Sequence, residues 1–130
     1  MNNILSKERL SDEVWRMELA VPHIAEERKA GQFIILQVDA NYGERIPLTI
    51  ADANATRGSI TIVFQTVGAT THKLAALNVG DSVSNVLGPL GRPTHIEKLG
   101  RVVCVGGGIG VAPLYPIVYA HKAAGNHVTV

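Results

Sequence analysis

Two stretches of this 130-residue chain have the composition that holds phosphate. Gly106-Gly107-Gly108-Ile109-Gly110 follows the apolar run Val102-Val103-Cys104-Val105 and precedes a helix-forming stretch. Glycines there let a ligand approach the backbone, while N–H groups and the positive end of the next helix face an anion. The spacing departs from the common dinucleotide pattern: Val111 takes the third glycine position after Gly106 and Gly108, and no lysine follows as in a nucleotide P-loop. A tight strand-to-helix turn without ligand is the alternative. Gly68-Ala69-Thr70-Thr71 is the second stretch, a glycine followed by two hydroxyls at a helix start. A plain helix cap is its alternative. Two possible anion sites on one chain favour a phosphate-bearing ligand over two unrelated turns.

The elements that would position them change character along the chain. At 14–21 a period of two places Trp15, Met17, Leu19 and Val21 on one side and Arg16 and Glu18 on the other, a half-buried strand. Residues 33–38 and 60–67 are apolar and β-branched strands. Residues 52–58 have turn composition, so 46–51, which contains Ile46-Pro47-Leu48-Thr49, is expected to pair antiparallel with 59–67, which contains Val63-Phe64-Gln65. Residues 70–77 form one short helix, stopped by Asn78 and Gly80. Residues 82–87 return to strand, and Gly88-Pro89-Leu90-Gly91-Arg92-Pro93 is a rigid connection. Short strands at this spacing suggest a small closed barrel. After Gly100 a strand at 101–105, of the kind covered on both faces, leads through the glycines into a helix at 111–124 and a second strand at 127–130. This βαβ unit is expected to open a nucleotide-binding domain whose remainder is missing. The expected division is 1–98 and 99–130.

Composition narrows the function. With 46% hydrophobic and 18% charged residues the chain is an ordered globular protein. Twelve basic against 11 acidic residues give no basic face for nucleic acid. The start lacks a secretory pattern, and the glycines and prolines between 102 and 120 argue against a membrane span. Cys104, the one cysteine, cannot build a disulfide or a cluster alone and reads as a small buried hydrophobe, so a reducing cytoplasmic setting is expected. The five histidines lack ligand spacing, and no metal site is expected. Lys7, Glu8 and Arg9, like Glu26, Glu27, Arg28 and Lys29, read as solvated charges.

The order of barrel strands, Gly-Ala-Thr-Thr helix start, Gly-Pro-Leu-Gly connection and Val-Gly-Gly-Gly-Ile-Gly-Val-Ala-Pro turn resembles the ferredoxin reductase-like flavoproteins. Within them it is most similar to the small subunits of the NADH-dependent ferredoxin:NADP oxidoreductase, or sulfide dehydrogenase, type. Next come the electron-transfer subunits of dihydroorotate dehydrogenase. The resemblance implies a mainly β fold: a six-stranded antiparallel Greek-key barrel that binds FAD, then the start of an α/β NAD(P)-binding domain. It implies an oxidoreductase subunit that passes electrons from NAD(P)H through FAD to an iron–sulfur or flavin partner on a larger catalytic subunit. Ile46, Pro47, Leu48 and Thr49 would line the flavin ring, with the Thr49 hydroxyl at its redox-active nitrogen. Val63, Phe64 and Gln65 would flank the ribityl and adenosine side, and Gly68, Thr70 and Thr71 would hold the diphosphate. Gly107, Gly108 and Ile109 would face the nicotinamide nucleotide. Many relatives carry an arginine where this chain has Ile46 and an aromatic residue where it has Leu48; Arg45, one residue earlier and on the opposite strand face, is the candidate for the arginine's place on the diphosphate. A [2Fe–2S] centre is expected only in a C-terminal region outside these residues. The rival of another class is a flavin-free interaction module.

Overall fold

The computed structural model describes residues 2–41 and 43–130. Seven antiparallel strands among them fall into two sheets. The first holds β1 (Ile4–Arg9), β2 (Val14–Ala20), β6 (Ser59–Gln65) and β5 (Asp52–Asn54), in the order β1-β2-β6-β5. The second holds β4 (Arg45–Thr49), β3 (Phe33–Gln37) and β7 (Asn85–Leu90), in the order β4-β3-β7. Helix α1 (Pro22–Glu27) follows β2, and α2 (Ala69–Ala76) follows β6.

Alternation of side chains makes one core between the sheets. Met17 and Leu19 from β2, Ile60, Ile62 and Phe64 from β6, and Ile34 and Leu36 from β3 are buried together, closed by Ile24 of α1 and Leu74 of α2. The other faces of β2 and β6, carrying Arg16, Glu18, Thr61, Val63 and Gln65, are turned outward. The chain crosses between sheets at Ile50 and Ala51, whose N–H groups donate to Gln32 O at 3.2 Å and Thr61 O at 2.9 Å. A bridge between Asn3 and Ser82 joins the sheets elsewhere.

That crossing corrects the expected pairing. The segment 45–49 pairs with β3, Arg45 opposite Gln37 and Thr49 opposite Phe33. Residues 52–54, read from sequence as turn, form the strand that pairs with β6, and the turn itself is shorter. Asp52 and Asn54 favour turns by composition, but three residues beside β6 still gain ladder hydrogen bonds. Helix α1 has no counterpart in the sequence reading either. Its six residues begin on Pro22 and bury Ile24 and Ala25, too short a stretch for helical periodicity to emerge. Lys7 and Arg9 are strand residues stacked over the Trp15 ring, their charged groups 4.8 and 5.7 Å from its centroid.

β4 is an edge strand, which suits Pro47 in its middle. Pro47 has no N–H, and Ile50 donates inward to Gln32, so the ladder bonds of β4 belong to its even-numbered residues. By alternation the backbone N–H and C=O of Thr49 face the open edge.

β8 (Arg101–Val103) and β9 (His127–Thr129) pair in parallel, joined through a 3-10 turn at Gly108–Gly110 and α3 (Val111–Ala123). This is the expected βαβ unit. Cys104 is buried, but Val103 and Val105 are 72% and 88% exposed, because α3 covers one face of a two-stranded sheet and leaves the other open. The buried side chain of Asn126 fastens this unit to the connecting segment. Its Oδ1 accepts the N–H groups of Leu99 and Gly100 at 2.6 and 2.8 Å, and its Nδ2 donates to Glu97 O at 2.8 Å.

Candidate functional site

A cleft of about 450 Å³ runs between the edge of β4, the end of β6 and the glycine turn. Ile46, Pro47, Leu48 and Thr49 form one wall, Val63, Phe64 and Gln65 a second, and Ile109 with Gly110, Ala112 and Pro113 a third. Three segments up to 67 residues apart in sequence, Ile46 to Pro113, therefore share one space. Its size lies in the range of small-molecule sites, and its walls are apolar with a few polar groups, as such sites require. Beyond Val63 and Gln65 the space opens into a wider cleft of about 1060 Å³, between the outward face of the four-stranded sheet and the start of α3. Val63, Gln65, Ile109 and Ala112 line both.

Individual positions differ in what they offer. Val63 and Gln65 are half-buried and turned outward, whereas the Phe64 ring is 2% exposed and belongs to the core, so at that position the backbone faces the cleft. Ile46 and Leu48 also pack against the core cluster. Arg45 is exposed, outside the cleft lining, and has no ion pair among the described residues. Gly110, part of the glycine run, lines the cleft together with Ala112, Pro113 and Val67, none of which the sequence reading placed against a ligand. The motif Gly-Val-Ala-Pro was the available signal for the first three; an exposed valine in a loop offered none for Val67.

Thr71 lines the cleft at the start of α2, but its hydroxyl is engaged locally. It accepts the N–H groups of Val67 and Gly68, each at 3.0 Å, and donates to Gly68 O at 3.0 Å. This is half of a capping box; glycine at the N-cap has no side chain for the other half. Among the described residues, no side chain caps the first-turn N–H groups of α2. A Cβ on Gly68 would meet nothing within 4 Å, and its φ of −151° suits any residue. The fold does not need glycine there, whereas a group approaching the helix start would. Gly107 has the same open surroundings. Gly108, at φ +57°, is required by backbone conformation instead. Thr70 is buried and donates to Glu44 Oε2 at 3.2 Å.

Residues 2–95 match the oxidoreductase FAD-binding domain family. The chain belongs to that family. As an FAD-binding domain it is 42% identical to a Thermotoga maritima protein described as a dihydroorotate dehydrogenase B (NAD(+)) electron transfer subunit homolog, over 99% of the chain and 45% of that protein. It is 42% identical to the dihydroorotate dehydrogenase B (NAD(+)) electron transfer subunit of Shouchella clausii, over 65% of the chain and 34% of that protein. The structure of an NADH-dependent reduced ferredoxin-NADP oxidoreductase superposes with a TM-score of 0.96 at 41% identity, covering 98% of this chain and 46% of that one. Phthalate dioxygenase reductase, at 22% identity and a TM-score of 0.78, covers 97% of this chain and 40% of its own and shares the fold. The FAD-binding domain described here thus spans less than half the length of these relatives. The mainly β, antiparallel, ferredoxin reductase-like fold expected from the sequence is the one observed.

FAD fits the residues present. The cleft offers apolar walls for a planar ring, an open strand edge at Thr49 for hydrogen bonds, and an uncapped helix start beside Gly68 for phosphate. No helix is long and apolar enough to cross a membrane among the described residues.

Proposed function

We propose that this chain is the flavin-holding part of an oxidoreductase subunit that takes electrons from NAD(P)H and delivers them to a larger catalytic partner. The observation that carries this reading is the shared cleft, in which the edge of β4, the outward side of β6 and the glycine turn meet. Residues 1–98 form the flavin unit and 99–130 the opening of the nicotinamide unit. Ile46, Pro47 and Leu48 give the ring an apolar wall, and Thr49 supplies a hydroxyl and a free backbone edge. Val63 and Gln65 flank the chain that leads to the diphosphate, which rests on the start of α2 at Gly68, Thr70 and Thr71. Gly107, Gly108 and Ile109 face the nicotinamide nucleotide. Bound FAD supplies the conversion between a two-electron hydride and single electrons. The protein's part is to hold, orient and screen it, and no side chain acts as general acid or base.

The route beyond the flavin follows the relatives. The ferredoxin-NADP oxidoreductase likeness spans nearly the whole chain at high superposition, so we place the acceptor in an iron–sulfur or flavin partner of that type; the single cysteine is what supports a reducing, cytoplasmic setting. The Thermotoga maritima likeness supports the dihydroorotate dehydrogenase type as the second reading. A [2Fe–2S] centre needs cysteines that other segments would supply, because Cys104 stands alone. The test is the visible absorption spectrum of gently purified protein. A yellow protein that releases FAD on denaturation is expected; a colourless one that takes up no added FAD overturns the proposal in favour of an interaction module.

A further inference from the structure

We propose that Glu44 is an internal competitor for the phosphate position at the start of α2, so that flavin binding exchanges one anion for another. This rests on the reading of that helix start as the diphosphate site. Three observations lead to it. The Thr71 hydroxyl is spent, because its hydrogen goes to Gly68 O and its oxygen takes two backbone N–H groups. Among the described residues, Thr70 therefore holds the one side-chain hydroxyl at this helix start able to donate to an incoming phosphate. That hydroxyl is occupied by the Glu44 carboxylate at 3.2 Å, reaching across 26 residues from the segment before β4.

The charge matters as much as the hydrogen bond. No acidic residue lies in the first turn of α2 itself. A carboxylate brought there from another segment complements the positive helix end as a phosphate would. Glu44 is exposed and can swing into solvent at little cost, whereas Thr70 is buried and stays in place. A diphosphate arriving at the helix takes the Thr70 hydroxyl and expels the carboxylate, since two anions cannot share one donor. Glu44 is thus a positioning residue that sets affinity.

The experiment measures FAD dissociation constants for the full chain by flavin fluorescence in the wild type, Glu44→Ala, Thr70→Val and the double variant. Circular dichroism and unfolding midpoints establish that each is folded. Removing Glu44 should tighten FAD about two- to fivefold at low salt, the scale of a charge at a helix end. The gain should shrink as salt is raised and should be smaller in the Thr70→Val background. Glu44→Gln, which keeps an acceptor but loses the charge, should recover part of the gain. Unchanged or weaker FAD binding in folded Glu44→Ala, with Thr70→Val still weakening FAD, overturns the competitor and leaves the diphosphate site standing. Absence of FAD binding in every form, wild type included, overturns both.

Discussion

Asn126 accepts the backbone N–H of Leu99 at 2.6 Å, and this one side chain fixes how the βαβ unit leaves the β-sheet part of the chain. The same oxygen takes Gly100 N–H, and the amide nitrogen reaches Glu97 O, so three backbone groups of the connection depend on a buried carboxamide.

Asn126→Ala should therefore destabilise the βαβ unit by about 1–3 kcal/mol, the cost of leaving buried backbone donors unmatched. Cys104 provides a local reporter. It is buried and donates its N–H to Thr129 O at 2.8 Å, so maleimide labelling should be slow in the wild type and clearly faster in the variant. Equal labelling rates would remove Asn126 from its fastening role.

Thr49→Val should retain FAD, since one hydroxyl hydrogen bond contributes only about 1 kcal/mol net. Loss of a donor beside the ring disfavours its electron-rich reduced form, so the two-electron midpoint potential should fall by roughly 20 mV. Potentiometry on the flavin-loaded chain measures this. An unmoved potential would place the hydroxyl away from the ring.

The same substitution at two glycines should have different consequences. Gly31 sits at φ +91°, and a Cβ there would lie 2.2 Å from Thr94 Oγ1 and 3.0 Å from Thr94 N, so Gly31→Ala should lower stability by about 1–3 kcal/mol. Gly107 has open space around it, and Gly107→Ala should leave the unfolding midpoint unchanged while slowing flavin reduction by NADH. Chemical denaturation and anaerobic stopped-flow separate the two effects.

The glycine turn alone would make a weak nicotinamide site. A few backbone donors offset little of the entropy lost when a flexible dinucleotide is held. NADH should bleach the flavin of this chain on the order of ten times more slowly or worse than that of a longer chain carrying a completed nucleotide unit, with dithionite reducing both normally. Equal rates would show that residues 99–130 suffice.

The sequence is legible where burial dictates periodicity. Met17 and Leu19, or Ile60, Ile62 and Phe64, alternate because one side of each strand is core, and the alternation alone reveals the strand. The strand–glycine–helix turn is equally plain, since an apolar run, the glycines of 106–110 and a helix-forming stretch follow one another directly. Pairing was not legible. The crossing at Ile50 and Ala51 depends on which sheet offers a ladder partner, a long-range choice that residues 45–51 do not encode locally. The cleft was half legible: its walls could be named singly, while the diversion of Thr71 into its own helix start and of Thr70 toward Glu44 are matters of atomic position.

Pro47 has a consequence for how copies of this protein meet. An edge strand with a full set of outward N–H groups is a template on which a neighbouring chain can add a strand, the first step toward fibrous aggregation. Pro47 removes the donor from the centre of the outward-facing edge of β4, between Arg45 and Thr49. An intruding strand would find a gap at the middle rung, whereas a small planar molecule needing only the group at Thr49 would lose nothing. One ring thus keeps the edge accessible to a ligand and unrewarding to another chain.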